Sequence, residues 1–260
     1  MHRGITLAVP GVALATAGGL LAQVHRTANA PLPHFGDLDV TGTYGSGADP
    51  TVRMTVLGDS SMTGPGLTRG DQVWIAQLAD ALPWRVELIG RAKGGSRVRD
   101  VLEHQVGDAI DDRPDLFVVS VGANDVTHGT SSRIYANRLA QVFDELAEVA
   151  PVVSLGIGDL SIIPRLPRNL RPLVAHRSRV IDRVHALVSV DRERVSRIPV
   201  SRLSDHHFRS RRHELFADDL FHPNRQGHRL WAELFRPAVF SALVVDAAVS
   251  GDGQPATVFQ

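Results

Sequence analysis

Between residues 52 and 235 the apolar positions follow two alternating patterns. Short apolar runs at Val52–Leu57, Val86–Ile89, Leu116–Val121, Val152–Leu155 and Arg197–Val200 predict five strands. Leu116–Val121 is apolar almost throughout, as a strand buried on both faces must be. Between the runs, apolar residues spaced three and four apart predict helices. Asp71–Leu82 presents Trp74, Ile75, Leu78, Ala79 and Leu82 on one face. Val98–Ile110 presents Val98, Val101, Leu102, Val106 and Ile110, and Ser132–Val149 presents Ile134, Leu139, Val142, Phe143 and Leu146. Val180–Val190 is a further helix, and Pro223–Phe235 the last, with Pro223 in the first-turn position that proline tolerates. Residues 158–178, rich in Pro and Arg, read as irregular. Strands alternating with helices predict parallel βαβ units, hence an α/β fold whose sheet is covered on both faces. Sites in such sheets form beyond the carboxyl ends of the strands.

The ends of the chain lack this pattern. Met1-His2-Arg3 is followed by an uncharged stretch from Ile5 to Val24, long enough as a helix to cross a bilayer core. Ala28-Asn29-Ala30 fits a small-x-small cleavage site, although Pro31 opposes cleavage. Residues 1–30 are therefore expected to be a signal peptide or an N-terminal membrane anchor, and the protein to be exported to the cell envelope or secreted. Residues 31–51, rich in Gly, Pro, Asp and Thr, read as a linker. The folded domain is expected over 52–240, and 241–260 form a weak apolar tail without an assignment.

Composition narrows the function. The 260 residues carry 28 basic and 28 acidic side chains, a net charge of zero, which argues against a nucleic-acid partner. The chain has no cysteine, so disulfides, thiol catalysis and Cys-ligated zinc are excluded. Lys93 is its one lysine, which removes most lysine chemistry.

Four loops at predicted strand ends carry polar residues. The first strand runs into Gly58-Asp59-Ser60, where a sharp turn exposes a hydroxyl; a serine nucleophile needs a base, and a turn with Asp and Ser as helix caps is the plainer reading. The second runs into Lys93-Gly94-Gly95-Ser96, where glycines let backbone N–H groups approach a ligand. The third runs into Gly122-Ala123-Asn124-Asp125, whose Asn amide is either an oxyanion donor or part of an Asx turn. Near the C-terminus, Asp219 precedes His222 by three residues, a spacing that lets a carboxylate orient an imidazole. Taken singly each loop is ordinary. Together they bring a nucleophile, donors and an acid–base pair to one sheet edge.

At these residues the chain resembles the SGNH hydrolases, the GDSL-type esterases and lipases: Ser60 in VLGDSS, Gly95 in AKGGSRVRDVL, Asn124 in VGANDV and His222 in DDLFHPNRQGH. Ser61 departs from the Leu of the family name, and the spacing to RVRDVL selects Gly95 over Gly94. The resemblance implies a three-layer α/β/α sandwich with a flavodoxin-like parallel sheet. It implies ester hydrolysis on Ser60 with His222 as base and Asp219 as its orienting acid, Asp218 being one residue too far. The Ser60 and Gly95 N–H groups and the Asn124 amide would form the oxyanion hole, with no metal and no cofactor. Asp59 and Asp125 are expected to brace their loops.

The resemblance implies a small-molecule, lipid or carbohydrate ester as substrate. Arg165, Arg168, Arg171 and Arg177, with the arginines of 202–213, form either a basic rim or a solvated face. Asp205-His206-His207 is read as surface rather than as a metal site. The lack of an apolar lid helix favours a short-chain or soluble ester. An O-acyltransferase sharing the acyl-enzyme and a non-catalytic envelope-binding protein are the alternatives.

Overall fold

A computed structural model describes residues 33–47 and 50–249, so the Ile5–Val24 stretch lies outside the described residues. Six strands form one sheet: β1 (Gly42–Tyr44), β2 (Thr51–Gly58), β3 (Arg85–Gly90), β4 (Leu116–Ser120), β5 (Val152–Leu155) and β6 (Val195–Ile198). Their order is β1-β3-β2-β4-β5-β6. The last five are parallel, and β1 is antiparallel to β3. The strand order reverses between β2 and β4, so a crevice opens beyond their carboxyl ends.

Ten helices are described: α1 (Ser60–Thr63), α2 (Trp74–Asp80), α3 (Val98–His104), α4 (Val106–Asp111), α5 (Ala123–Thr127), α6 (Ser132–Val149), α7 (Arg171–Val190), α8 (Val200–Ser210), α9 (Arg212–Leu215) and α10 (Arg225–Val249). Strand alternation sorts the core into two halves. Met54, Val56, Leu116 and Val118 pack with α2 and α10 on one face of the sheet. Leu57, Phe117 and Val119 pack with α3, α4, α6 and α7 on the other. This is the expected three-layer sandwich.

Several boundaries differ from the sequence expectation. The stretch read as a linker contributes β1, and Val40 is buried against the core. The Val98–Ile110 helix is two helices, α3 and α4, broken at Gln105. On α6, Ile134 is 47% exposed and Tyr135 is buried instead. The Tyr135 hydroxyl is drawn in by the Val121 carbonyl at 3.0 Å and the His185 ring at 3.1 Å. Helix α7 starts at Arg171, within the stretch read as irregular, because Pro172 sits in its first turn, where no N–H is required. The last helix runs on to Val249 through the start of the unassigned tail, and Pro223 precedes it.

Candidate active site

Ser60 is the first residue of α1 and is carried by a sharp strand-to-helix turn. Gly58 makes the turn at φ 138°, with Ser120 so close that a Cβ would lie 1.9 Å from its carbonyl oxygen. Only glycine fits there. Asp59 then caps the helix, its Oδ1 accepting the Ser61 N–H at 3.0 Å. Burial pushes the Asp59 carboxyl up to about 6, against the opposing hydrogen bonds from Ser61 and the pull of the His222 ring. Being first in the helix, the Ser60 N–H has no intrahelical acceptor.

Gln105, where the predicted helix breaks, ties the neighbouring loops together. Its buried amide accepts the Gly58 N–H at 2.8 Å and donates to the Gly58 carbonyl at 3.0 Å and to Ser96 Oγ at 3.1 Å. One side chain thus fixes the end of β2 and the glycine loop. No motif marked Gln105 in the sequence.

In the glycine loop, Gly95 holds φ 80° and its N–H has no partner among the described residues. The Gly94 N–H, by contrast, donates to Asp37 Oδ2 at 2.9 Å. Asn124 Nδ2 donates to the Ser96 carbonyl at 3.1 Å, which holds its amide against the glycine loop. Asp125 accepts the Val98 N–H at 2.9 Å and so joins α5 to α3. Both Asp59 and Asp125 brace their loops.

The C-terminal loop is closed by a bridge between Phe216 and Pro223 and by the Ala217 N–H on the His222 carbonyl at 2.8 Å. Leu220 takes φ 57° at its tip. Asn224 anchors the loop to α10. Its Oδ1 accepts the Gln226 and Gly227 N–H groups, and its Nδ2 donates to the Glu214 and Phe216 carbonyls. Within this frame Asp219, 4% exposed, lies 2.6 Å from His222 Nδ1 through Oδ2. Its Oδ1 accepts the Phe221 and His222 amides at 2.9 and 3.0 Å. Burial pushes the Asp219 carboxyl up, but these hydrogen bonds outweigh it and leave the group below its ordinary range. The carboxylate at His222 is Asp219; Asp218 is exposed.

Ser60, Asn124 and His222 line one cavity of about 140 Å³. Gly95 does not line it; its loop is joined to Asn124 through Ser96. Most of the cavity wall is apolar, including Leu155, Ile157, Ile163, Phe208 and Phe221. Asp205 is among its few charged residues. One Asp205 oxygen accepts the Asp159 N–H at 3.0 Å, and burial pushes the carboxyl up to about 7. The sequence alone reads Asp205 as surface, with its neighbouring histidines.

The arginines divide. Arg177 donates to the Asp125, Val126 and Thr130 carbonyls and clamps the end of α5, so it is not part of a rim. Arg209 pairs with Asp159 and Arg211 with Glu214. Among the described residues no cluster of His, Asp and Glu has the arrangement of a metal site.

Comparison with known proteins bears on the family and the fold. A GDSL-like esterase, Rv1075c of Mycobacterium tuberculosis (strain ATCC 25618 / H37Rv), is 28% identical over 255 residues, covering 91% of this chain and 81% of that protein. The crystal structure of TesA superposes with a TM-score of 0.59 at 21% identity, covering 73% of this chain and 99% of that one. The psychrotrophic esterase EstA from Pseudoalteromonas sp. gives 0.57 at 18% identity, covering 74% and 98%. At these identities the two structures speak for the fold alone. The family model described as GDSL-like Lipase/Acylhydrolase matches residues 56–230, the span from β2 into α10 that holds every strand-end loop described above. With that match, the chain belongs to the GDSL-like lipase/acylhydrolase family and is a serine ester hydrolase.

Proposed function

We propose that this protein is an exported esterase that cleaves short-chain carboxylic esters through an acyl-enzyme on Ser60. The observation that carries the reading is the Asp219–His222 pair at 2.6 Å, with His222 lining the same cavity as Ser60 and Asn124. Ser60 Oγ attacks the ester carbonyl carbon while His222 Nε2 takes its proton. Asp219 holds Nδ1–H, which leaves Nε2 as the basic nitrogen and favours the imidazolium as it forms. Negative charge on the carbonyl oxygen meets the Ser60 and Gly95 N–H groups and the Asn124 amide. The imidazolium then protonates the leaving alcohol. Water, deprotonated by His222, attacks the acyl-enzyme; the acid leaves and Ser60 regains its proton.

The apolar wall supports an acyl chain as the group seated in the cavity. An apolar cavity of about 150 Å³ holds one benzene ring, so roughly four to six carbons fit. Export rests on the uncharged Ile5–Val24 stretch and the small-x-small site after it.

A p-nitrophenyl ester series tests the reading, with activity expected to peak at butyrate or hexanoate. Ser60→Ala should reduce kcat on the order of 10⁵-fold, because triad members act as a unit. A serine-reactive phosphonate should label Ser60; an adduct on another serine would sink the assignment. Recovery of full-length protein in the cytosol on cell fractionation would refute export.

A further inference from the structure

Residues 33–47 do more than complete the sheet. Asp37 reaches two loops far away in sequence. Its Oδ1 accepts the Thr63 hydroxyl at 2.6 Å, and its Oδ2 accepts the Gly94 N–H at 2.9 Å. Beside it the Leu38 N–H donates to the Thr63 carbonyl at 2.9 Å. Thr63 is buried and is the last residue of α1, the helix that Ser60 opens. Gly94 immediately precedes Gly95. A Cβ on Gly94 would lie 2.4 Å from Asp37 Oδ1, so a larger residue there would displace the carboxylate. One carboxylate therefore spans the nucleophile's helix and the glycine loop. The opposite side of that loop is held independently by Gln105 on Ser96.

We propose that Asp37 is a positioning residue of the oxyanion hole, fixing the Gly94 amide so that the Gly95 N–H points at the developing oxyanion. The argument is steric and directional. Gly94 and Gly95 lack side chains, and although the Ser96 N–H on the Lys93 carbonyl at 3.2 Å closes the turn around the positive φ of Gly95, the central peptide units have no side chain to hold them. With the Gly94 N–H committed to Asp37, rotation of the peptide units on either side is restrained, and the next N–H is left to the substrate. Oxyanion donors act through preorganisation, so a donor free to rotate contributes less in the transition state while ground-state binding is little changed. The proposal rests on the Ser60 esterase reading.

The experiment compares full-length Ser60→Ala, Asp37→Ala, Asp37→Asn and Thr63→Val on p-nitrophenyl butyrate. Complete loss of a donor costs about 10²–10³ in kcat. Loosening one should therefore cost Asp37→Ala about tenfold in kcat, with KM within twofold and phosphonate inactivation slowed in proportion. Asp37→Asn should recover most of the rate, since its carbonyl can accept from Gly94 while its amide donates to the Thr63 hydroxyl. Thr63→Val should show a smaller loss that does not add to that of Asp37→Ala. Melting curves report the folded fraction. If Asp37→Ala does not fold, Asp37→Asn and Thr63→Val decide, both keeping KM and the latter losing kcat. An unchanged kcat per folded enzyme, or a rise in KM alone, overturns the proposal. Activity retained by Ser60→Ala overturns the esterase reading instead.

Discussion

Asp205 lines the cavity and Asp219 stands behind it on His222, and their environments drive the two carboxylates apart. Asp219 accepts one ring hydrogen bond and two backbone N–H bonds, and its carboxyl lies below the ordinary range despite burial. Asp205 accepts one backbone N–H, and its other oxygen has no hydrogen-bond partner among the described residues. Burial, the nearby Asp159 carboxylate and the more distant Asp182 outweigh the pull of the Asp159 N–H and of Arg209, so Asp205 rises to about 7. Burial alone thus does not decide the charge of a carboxyl; the number of donors folded around it does. The loop of 216–223 is built to supply donors. The wall formed by 156–163 and α8 supplies few.

Removing each carboxylate's charge sharpens the contrast. Asp219→Asn should lower kcat by about 10⁴ near neutral pH, because the amide stabilises the wrong tautomer of the imidazole. Asp205→Asn should change kcat by less than about threefold with the best substrate, since the hydrogen bond Asp205 accepts is from the Asp159 N–H and not from Ser60 or His222. Steady-state kinetics of the two variants decides the matter, and a large kcat loss in Asp205→Asn would place it in the chemistry. Asn124→Ala should fall between them, losing about 10²–10³ in kcat with KM nearly unchanged. A rise in KM at constant kcat would make Asn124 a binding group.

The titration of Asp205 provides a finer test. Below about pH 7 the acid is neutral and suits an apolar acyl chain; above it, a carboxylate sits in the cavity wall. KM for p-nitrophenyl hexanoate should therefore rise as pH climbs through 7, and Asp205→Asn should abolish the rise. The sign of the stability effect follows. A carboxyl whose folded pKa is raised from 3.8 to about 7 favours folding when protonated, and this contribution is lost as pH rises between those values. For Asp219 the direction reverses: its contribution is present above the ordinary carboxylate range and is lost as pH falls below it. At pH 8, Asp205→Asn should raise Tm by about 2–4 °C, the shift expected from roughly 1 kcal/mol in a domain of this size. At pH 5 the rise should be smaller, and below about pH 4 it should vanish. Equal shifts at both pH values would mean that packing, not charge, is responsible.

The two regions were unequally legible in the sequence. Strand β4 stood out because residues buried on both faces are nearly all apolar; β2 and β5 kept enough of that pattern to be read despite the buried Thr55 and Ser154. Ser60, Asn124 and His222 stood out in combination, because each falls in a polar loop at a predicted strand end or just before the last helix and their motifs match one family. Asp205 was hidden in RLSDHHFRSRRH, where charge suggests solvent and only the fold shows that one helical face turns inward. Gln105 was hidden for the converse reason: a polar residue inside an apolar stripe looks like an interruption, yet its amide satisfies both backbone groups of Gly58. Asp37 lay in a stretch without any period. A three-residue strand is too short to show alternation, and its pairing with β3 is a long-range choice.

That short strand also bears on how the protein behaves in company. A sheet edge exposes unpaired N–H and C=O groups that can recruit another chain. The pairing of Gly42–Tyr44 with Val86–Leu88 occupies that side of β3 in antiparallel register, with Tyr44 Oη anchored on the Val40 carbonyl at 2.9 Å. At the far side the outermost strand, Val195–Ile198, has only four residues, and its Arg197 pairs with Asp182. Both margins are therefore short or covered, the arrangement that discourages intermolecular strand addition. A variant beginning after Tyr44 would uncover β3 and expose Val86 and Leu88, now fully buried, along an open margin. Beyond the loss of Asp37, it should self-associate at high concentration.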